Sequence, residues 1–487
     1  MLTTGDYRAI RETIASWPSD VSSDASGAQV PSVEEIYAPE THAAALDPAA
    51  PLVVGARGTG KSFWAAVLGD PALRTAAAKA YPRIRLADTE VQFGYTGLDG
   101  MGGIGREKLD QCVAEGAGPN EARAFFWATI LRALDGAGGK RPRNLPSYLQ
   151  SAGDLDKREA DIAESNEAYQ KQGKKLVIVY DALDTMALSW PRRRLLTLAL
   201  LQVVWAMRAY RAIRIKLFLR PDQLDDDALH FVELPKLRAG AVRLTWPTTD
   251  LYGLLFARLA LGETREPFGK LLEFLGYPNP SQNSVLTRKW SVIQYEVRQQ
   301  AIMNRLAGPY MADGRFGYKK GKTYEWPLKH LGDAFHEVTP RSFLSLMIAA
   351  AKHDPVPPNR VIAPAGMHHG LRAASRTRLD QLHQEFPWIK GVLKPLAGLL
   401  LPLHEEGVFE VWRAAKTLQT AMADAEDEGY MPPVPSTPTK PAHERDLYKE
   451  LERIGVMMRR TDDRIDMPDL FRVAAKLLKK GGTAPLV

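Results

Sequence analysis

The chain of 487 residues carries 64 lysines and arginines against 57 acidic residues, for a formal net charge of +7, and 45% of its residues are hydrophobic. This length allows about two to four globular domains. The single cysteine, Cys112, excludes an internal disulfide framework and is typical of a reducing cytoplasm. The N-terminus lacks the apolar stretch of a signal peptide, and the most apolar window, residues 195–207, is too short for a bilayer. We therefore expect a cytoplasmic protein with no membrane partner.

The chain begins with a polar segment and then becomes globular. Residues 20–32 are rich in Ser, Asp and Gly, which predicts a flexible lead-in over residues 1–34. Over residues 35–247, short apolar runs alternate with helical patterns, which is typical of a mainly parallel sheet covered on both faces. We therefore predict a three-layer α/β/α core there. The runs that predict its strands are 52–54, 83–86, 176–180, 213–219 and 241–246.

A complete phosphate-binding loop follows the first predicted strand. Gly55, Gly60, Lys61 and Ser62 fill the fixed positions of G-x-x-x-x-G-K-[ST], and a helical run without glycine or proline comes next. Such a loop directs backbone N–H groups and a helix N-terminus at phosphates, while the lysine neutralises charge and the hydroxyl ligates Mg²⁺. We therefore expect a bound nucleoside triphosphate, and ATP is preferred because no N-K-x-D base-reading motif occurs. The expected nucleotide contacts are Gly55, Ala56, Arg57, Gly58, Thr59, Gly60, Lys61, Ser62 and Phe63.

The sequence also offers acids for the Mg²⁺-dependent part of such a site. The apolar run 176–180 ends at Asp181, which we predict to hold Mg²⁺ together with Ser62, the alternative being an aspartate that caps a turn. Many P-loop ATPases place a second acid directly after this one, but here that residue is Ala182. Asp184 is a candidate catalytic acid that orients the attacking water, or else it caps the next helix. Either Asp184 takes the missing role, or hydrolysis is slow and the nucleotide state acts as a switch.

Two arginines are candidates for contact with the terminal phosphate, and with Lys61, Asp181 and Asp184 they make up the predicted catalytic set. Arg220 ends the predicted strand 213–219, where it could report the γ-phosphate or pair locally with Asp222. Arg341 follows Thr339 and Pro340, which suit the cap and first position of a helix. From that first turn Arg341 is predicted to reach back to the nucleotide, the alternative being a surface arginine.

Helical periodicity predominates beyond residue 247. We predict a helical lid domain over residues 248–354, a second helical domain over 365–430 and a Pro-rich linker over 431–442. Residues 443–487 read as helix, strand, charged turn, strand and helix, the outline of a winged-helix-like unit. Its basic residues are candidate DNA contacts, with protein docking or packing on the lid as the alternative. They are Arg459, Arg460, Arg464, Arg472, Lys476, Lys479 and Lys480.

Four segments, in this order, resemble the AAA+/STAND branch of P-loop ATPases: G-A-R-G-T-G-K-S, Y-D-A-L-D, F-L-R-P-D and T-P-R-S-F-L. Within that branch, KAP-type NTPases and origin-recognition ATPases are the most similar, over residues 35–355. The resemblance implies that Asp181 is the Walker B acid, Arg220 a first-sensor residue and Arg341 a second-sensor residue in a helical lid. It also implies that the long stretch at about 87–170 contains an insertion.

The resemblance leaves two functions open. The first is an ATP-operated conformational switch in bacterial regulation or antiphage defence, with a protein partner or self-assembly. The alternative is a DNA-binding AAA+ motor or loader that contacts DNA through the C-terminal unit. Both imply ATP and Mg²⁺ as cofactors and Mg²⁺-dependent ATP hydrolysis, which Ala182 predicts to be slow.

Overall fold

The computed structural model describes residues 2–18, 30–100, 103–224, 229–434 and 441–485. The chain divides into two compact units. The P-loop unit is Ser22–Thr245, and the helical unit comprises Met1–Val21 and Trp246–Val487. Positions 19–29 of the predicted lead-in and positions 435–440 of the predicted Pro-rich linker lie outside the described residues. Among the described helices, none has the length and apolar character needed to cross a membrane.

The P-loop unit is built on a five-stranded parallel sheet. Its strands lie in the order β2-β3-β4-β1-β5, and each neighbouring pair is parallel. Strand β4 therefore separates β1, which leads into the phosphate-binding loop, from β3, which ends at Asp181. The carboxyl ends of these three strands meet at one edge of the sheet. The strands are β1 (Leu52–Val54), β2 (Thr89–Phe93), β3 (Lys175–Tyr180), β4 (Ile213–Leu219) and β5 (Val242–Arg243).

Helices cover both faces of this sheet, which confirms the predicted α/β core. Every residue of β3 from Leu176 to Tyr180 is buried, so side chains on both of its faces are packed. The helix Lys61–Gly69 packs on Pro71–Ala80, and Pro119–Ala137 packs on Trp190–Ala206. The other α-helices of the unit are Ala43–Leu46, Arg106–Cys112, Leu145–Gly153, Leu155–Lys171, Pro221–Leu224 and Leu234–Ala239.

Two of the five predicted strands differ from the structure. The run 83–86 is not a strand, because the 3-10 turns Pro82–Ile84 and Leu86–Asp88 meet at Arg85, whose φ of 53° breaks an extended backbone. The edge strand β2 follows it instead and lies, with four helices, in the stretch predicted to contain an insertion. The run 241–246 contributes only the two residues of β5.

The N-terminal segment is a helix where a flexible lead-in was predicted. The helix Thr4–Ser16 begins with a capping box between Thr3 and Asp6. Ile10 and Ile14, one turn apart, are buried in the helical unit. The prediction was wrong over these residues because the polar composition of the following stretch was extended over an amphipathic helix.

The rest of the helical unit begins at Trp246. The helices Thr248–Leu261, Arg265–Phe274 and Pro340–Lys352 lie within the predicted lid, and Pro364–Glu385 opens the second helical block. The remaining α-helices are Gln282–Leu286, Ser291–Gln294, Glu296–Ala307, Trp326–Leu331, Ile389–Leu393, Glu405–Ala414, Thr417–Glu428, Glu444–Arg453 and Asp469–Arg472.

The C-terminal residues contain the predicted order of helix, hairpin and helix, but they do not stand alone. Strands β7 (Met458–Arg459) and β8 (Ile465–Asp466) form the antiparallel hairpin. Strand β9 (Leu478–Lys479) pairs in parallel with β6 (Leu400–Leu401) of the preceding helical block. The last helix, Asp469–Arg472, has only four residues. A separate winged-helix-like unit was therefore the wrong description, since β-pairing with residues far upstream joins this segment to the helical unit.

Candidate functional site

The phosphate-binding loop connects the buried strand β1 to the helix Lys61–Gly69. Gly58 and Gly60 have φ angles of 87° and 100°, which side-chain-bearing residues rarely adopt. A Cβ atom on Gly55 would lie 2.4 Å from Oγ1 of Thr59, so the loop closes on itself only with glycine there. The glycines of the motif therefore permit the backbone conformation in which the loop's N–H groups and the helix N-terminus point into one concavity.

Lys61 lies across this loop. Its Nζ donates hydrogen bonds to the carbonyl oxygens of Gly55, at 2.7 Å, and Ala56, at 3.1 Å. The hydroxyl of Thr59 donates to the same Ala56 oxygen at 2.8 Å. The ammonium group is thus held at the loop's own mouth, where it neutralises an incoming phosphate without a long movement of its side chain.

Asp181 and Ser62 meet beside the loop. Asp181 directly follows β3 and is 2% exposed. The Ser62 hydroxyl and the N–H of Ala182 lie near its carboxylate. Burial raises the pKa of Asp181, and these neighbouring donors with the charge of Lys61 offset only part of that rise. A hydroxyl beside a carboxylate is an oxygen donor set that suits Mg²⁺, so these residues fit the predicted metal pair.

Arg220 is fixed by two aspartates at the carboxyl end of β4. Its Nε and Nη2 donate to Oδ1 and Oδ2 of Asp222, at 3.0 and 2.8 Å, in a bidentate pair. Its Nη1 donates to Oδ2 of Asp184 at 3.1 Å. Arg220 is 4% exposed, so this network lies largely out of water. The local pairing of Arg220 with Asp222 is therefore confirmed, and its contact with the γ-phosphate stays a prediction.

Asp184 also faces Arg57 of the phosphate-binding loop. Nη2 of Arg57 lies 3.9 Å from the same Oδ2 that Arg220 binds. Burial raises the pKa of Asp184, but the positive charges of Arg220, Arg57 and Lys61 outweigh burial and lower it. Asp184 does not cap the next helix, Trp190–Ala206, because the cap position there is Ser189. The helix-cap alternative is therefore wrong, and Asp184 belongs to the charged cluster at the loop.

The segment after β2 is hydrogen-bonded to the loop that carries Asp184. The sequence did not predict this contact. The hydroxyl of Tyr95 donates to Oγ1 of Thr185 at 2.9 Å, and that hydroxyl donates to the carbonyl of Ala182 at 2.8 Å. Ala182 has a φ of 53°, and a Cβ on Gly97 would lie 2.9 Å from the Cβ of Ala182. Burial raises the pKa of Tyr95 to about 12, so its hydroxyl stays protonated and remains a donor. The glycine spacing in G-Y-T-G after a strand was the only sequence sign of this close approach.

A second connection missed by sequence reasoning lies behind the loop helix. Nε1 of Trp64 donates to Nδ1 of His42 at 2.9 Å, and Nε2 of His42 lies 3.1 Å from the carbonyl of Thr245. Burial lowers the pKa of His42 to about 4, so the ring is neutral near pH 7. Since Nδ1 accepts from the indole, the proton of the neutral ring is on Nε2. His42 therefore links the loop helix to the last residue of the P-loop unit.

Arg341 lies in the other unit. Thr339 caps the helix Pro340–Lys352, its Oγ1 accepting from the N–H of Ser342 at 3.2 Å, and Pro340 occupies the first helical position as predicted. Arg341 is therefore on the first turn of that helix. Its reach to the nucleotide stays a prediction.

The basic residues of the C-terminal segment are mostly neutralised within the helical unit. Arg459 pairs with Glu405, Arg464 with Asp462, and both Arg460 and Lys479 with Asp466. Arg472 is fully buried and donates to the carbonyls of Leu477 and Thr483, so it cannot meet a DNA phosphate. Of the seven candidate DNA contacts, Arg472 was wrong because its charge stabilises the fold.

No protein-family model matches this chain. No curated protein matches it either. Among solved structures, it is similar to a Walker-type ATPase of Pyrococcus abyssi, with a TM-score of 0.37 and 11% identity over 93% of this chain and 97% of the other. It is also similar to the ORC2 protein of Aeropyrum pernix in ADPNP–ADP complexes, with a TM-score of 0.28 and 13% identity over 86% and 83% of the two chains.

At these TM-scores the fold class follows from the chain's own parallel sheet and phosphate-binding loop. Of the predicted site, the structure brings Lys61, Ser62, Asp181, Asp184 and Arg220 together at one edge of that sheet.

Proposed function

We propose that the protein is an ATP-binding, Mg²⁺-dependent ATPase that hydrolyses ATP slowly and works as a nucleotide-operated conformational switch. The observation that carries this proposal is the ion pair of Asp184 with Arg220 and Arg57. Asp184, the candidate acid for water activation, is thereby paired with two arginines.

ATP binding depends on the phosphate-binding loop. Its N–H groups and the first turn of the helix Lys61–Gly69 receive the phosphates, and Lys61 supplies a positive charge within reach of them. Ser62 and Asp181 would hold Mg²⁺, which when bound neutralises charge that develops on the phosphate oxygens. Asp181 is buried at the end of β3 with the Ser62 hydroxyl nearby, so both oxygens are already beside the loop before nucleotide arrives.

Slow hydrolysis follows from the state of Asp184. A residue that orients and deprotonates water must present an oxygen to that water, and its pKa should lie near the working pH. The arginines instead lower the pKa of Asp184, and one of its oxygens already accepts from Arg220. Ala182, directly after Asp181, has no side-chain group that could activate the water in place of Asp184.

Switching follows from a competition for the same arginines. A γ-phosphate is an anion that both Arg220 and Arg57 can bind, so its arrival would displace the Asp184 carboxylate. Arg220 keeps its position during this exchange because Asp222 holds it from the other side by two hydrogen bonds. Asp184 lies on the turn Leu183–Thr185, which Tyr95 also contacts, so the exchange would move a braced segment. ATP and ADP would thereby favour different conformations of this segment.

A closing lid would extend the switch beyond the site. In this proposal Arg341, on the first turn of its helix, contacts the γ-phosphate from the helical unit. ATP then favours a closed state only to the extent that it binds that state more tightly, and a shift from 1:99 to 99:1 needs about a 10⁴-fold difference in affinity. Bacterial regulation or antiphage defence as the setting, and a protein partner or self-assembly as the output, follow from the resemblance to AAA+/STAND proteins alone.

The alternative, a DNA-acting AAA+ motor or loader, has less support. Its predicted contact surface was the C-terminal segment, whose arginines are paired with acids or buried. A motor also needs repeated, rapid hydrolysis, against which the engagement of Asp184 argues.

Hydrogen–deuterium exchange in the presence of ATP and of ADP tests the switch. We expect the amides of residues 182–189 to change their exchange rates between the two nucleotides. The same residues in the Lys61→Ala variant, which lacks the phosphate-binding ammonium, should show no difference. Identical exchange of the wild-type protein with saturating ATP and ADP would contradict the proposal.

A further inference from the structure

A loop of the helical unit, residues 308–323, exposes aromatic and cationic side chains side by side. Phe316 is 60% exposed, Tyr318 56% and Tyr310 36%. The same loop contains Arg315, Lys319, Lys320 and Lys322 against a single acid, Asp313. Three exposed rings in sixteen residues leave apolar surface in water, a cost that commonly marks an interaction surface.

The 308–323 loop is well anchored. The N–H of Met311 donates to the carbonyl of Gly321 at 2.9 Å, and that of Thr323 donates to the carbonyl of Pro309 at 3.2 Å. Thr323 is fully buried, and Met311 is 5% exposed. Gly317 is buried under the turn, where an added Cβ would lie 2.2 Å from the carbonyl oxygen of Ala312. The exposed rings are therefore held on a fixed backbone, which lowers the entropy lost when a ligand binds.

The charges of this loop are unevenly partnered. Asp313 is engaged by Arg360 at 2.7 Å, and Lys322 by Glu325 at 2.7 Å. No carboxylate among the described residues lies within ion-pair distance of Arg315, Lys319 or Lys320. The cations of Arg315 and Lys319 lie instead 5.7 and 5.0 Å from the ring centre of Phe316. The loop thus presents three positive charges without a carboxylate partner among the described residues, two of them beside the exposed ring of Phe316.

We infer that the 308–323 loop binds single-stranded nucleic acid. Unpaired bases stack on exposed aromatic rings, and phosphates between the bases meet lysines and arginines beside those rings. A duplex buries the faces of its bases, so Phe316 and Tyr318 would have nothing to stack on. The positive charges select a polyanion, and the rings select one with free aromatic faces.

The basic C-terminal segment, over its described residues, does not have this combination of exposed rings and unpaired cations. In the C-terminal segment the arginines are tied to Glu405, Asp462 and Asp466, so a phosphate would have to displace a carboxylate. The 308–323 loop contains no residue of the nucleotide site. Nucleic-acid binding by this loop can therefore be tested independently of ATP hydrolysis and of the proposed switch.

Fluorescence anisotropy with a labelled oligothymidylate of about 20 nucleotides tests the inference on the full chain without nucleotide. The double variant Phe316→Ala/Tyr318→Ala should bind at least about 30-fold more weakly, the smallest effect expected when one base loses its stacking on each of two rings. Phe316→Trp/Tyr318→Trp, which keeps the stacking faces, should bind as the wild type does. Since all these side chains are exposed, unchanged circular dichroism and melting temperature will show that each variant is folded.

Charge variants provide the second arm. Lys319→Gln/Lys320→Gln should weaken binding and reduce the slope of log affinity against log salt by about 1.4, for two phosphate contacts on a single strand. The matched control Lys171→Gln/Lys174→Gln removes the same charge from exposed positions of the P-loop unit and should leave binding unchanged. The Lys61→Ala variant should also retain full binding, which separates this surface from the ATP site.

Several outcomes would overturn the inference. One is the absence of oligothymidylate binding at about 0.1 M salt, and another is equal binding by the wild type and by both loop variants. Equal affinity for a duplex, unaffected by Phe316→Ala/Tyr318→Ala, would show plain polyanion attraction. Loop-dependent binding to phosphatidylserine vesicles without binding to the oligonucleotide would assign the surface to a membrane instead.

Discussion

Nη1 of Arg220 donates to Oδ2 of Asp184 at 3.1 Å, although the two residues are 36 positions apart in the chain. The contact forms because β4 lies directly beside β3, so the residues that follow these strands meet at one edge of the sheet. It joins the predicted phosphate-sensing arginine to the predicted catalytic acid. The interaction therefore makes the state of each depend on the other.

Removal of the carboxylate from Asp184 should favour ATP over ADP. In Asp184→Asn, a γ-phosphate no longer has to displace an anion from Arg220 and Arg57, so we expect the ratio of ADP to ATP dissociation constants to rise by about tenfold, or 1.4 kcal/mol. Calorimetric titration with both nucleotides measures this ratio. An unchanged ratio would mean that the Asp184 carboxylate and the γ-phosphate do not compete.

Lys61 and Asp181 should separate binding from hydrolysis. Lys61→Ala removes the ammonium at the loop mouth and should abolish ATP binding or turnover, whereas Asp181→Ala should bind nucleotide in part but lose Mg²⁺-dependent hydrolysis. Nucleotide titration and phosphate release measure the two effects. Normal turnover in either variant would overturn the assignment of the site.

The buried pair of Arg220 and Asp222 should make single substitutions costly. Arg220→Ala leaves Asp222, 6% exposed, without its bidentate partner, and we expect a loss of about 3 kcal/mol in the free energy of unfolding. The double variant Arg220→Ala/Asp222→Ala should lose less than the sum of the two single variants because it leaves neither member of this buried pair without its partner. Urea unfolding followed by tryptophan fluorescence measures the coupling, and strict additivity would contradict it.

The sequence predicted those features that depend on neighbouring residues. The phosphate-binding loop is set by glycines and a lysine within eight positions, and the apolar runs that became β3 and β4 needed no distant partner to be recognised. The run 83–86 failed because Arg85 takes a left-handed φ, which apolar patterning does not encode.

Contacts between residues far apart in the chain could not be predicted from the sequence. The contact of Asp184 with Arg220 requires the strand order, which composition does not give. The C-terminal arginines looked like a basic surface because the partner of Arg459, Glu405, lies 54 positions upstream. Charge could be counted in advance, but its neutralisation depends on the tertiary fold.

His42 should make the P-loop unit less stable in mild acid. Its pKa of about 4 in the folded protein is below the ordinary value of 6.5, so the unfolded chain binds the proton more tightly. Stability from His42 is therefore full above about pH 6.5 and is lost as pH falls toward 4, by on the order of 3 kcal/mol.

The test compares melting temperatures at pH 7 and pH 5. The wild type should melt at a lower temperature at pH 5, and His42→Gln should lose much of that difference. Substitution of the exposed His230 by Gln serves as the control and should keep the wild-type pH dependence. An identical pH dependence of His42→Gln and the wild type would exclude His42 as its cause.

Single-turnover hydrolysis of radiolabelled ATP by excess protein tests the central claim most directly. With Asp184 held by Arg220 and Arg57, we predict a hydrolysis rate constant well below about 1 s⁻¹, the lower end of typical enzyme turnover, with or without added DNA. Rapid hydrolysis that nucleic acid accelerates would contradict the switch and favour the DNA-acting motor.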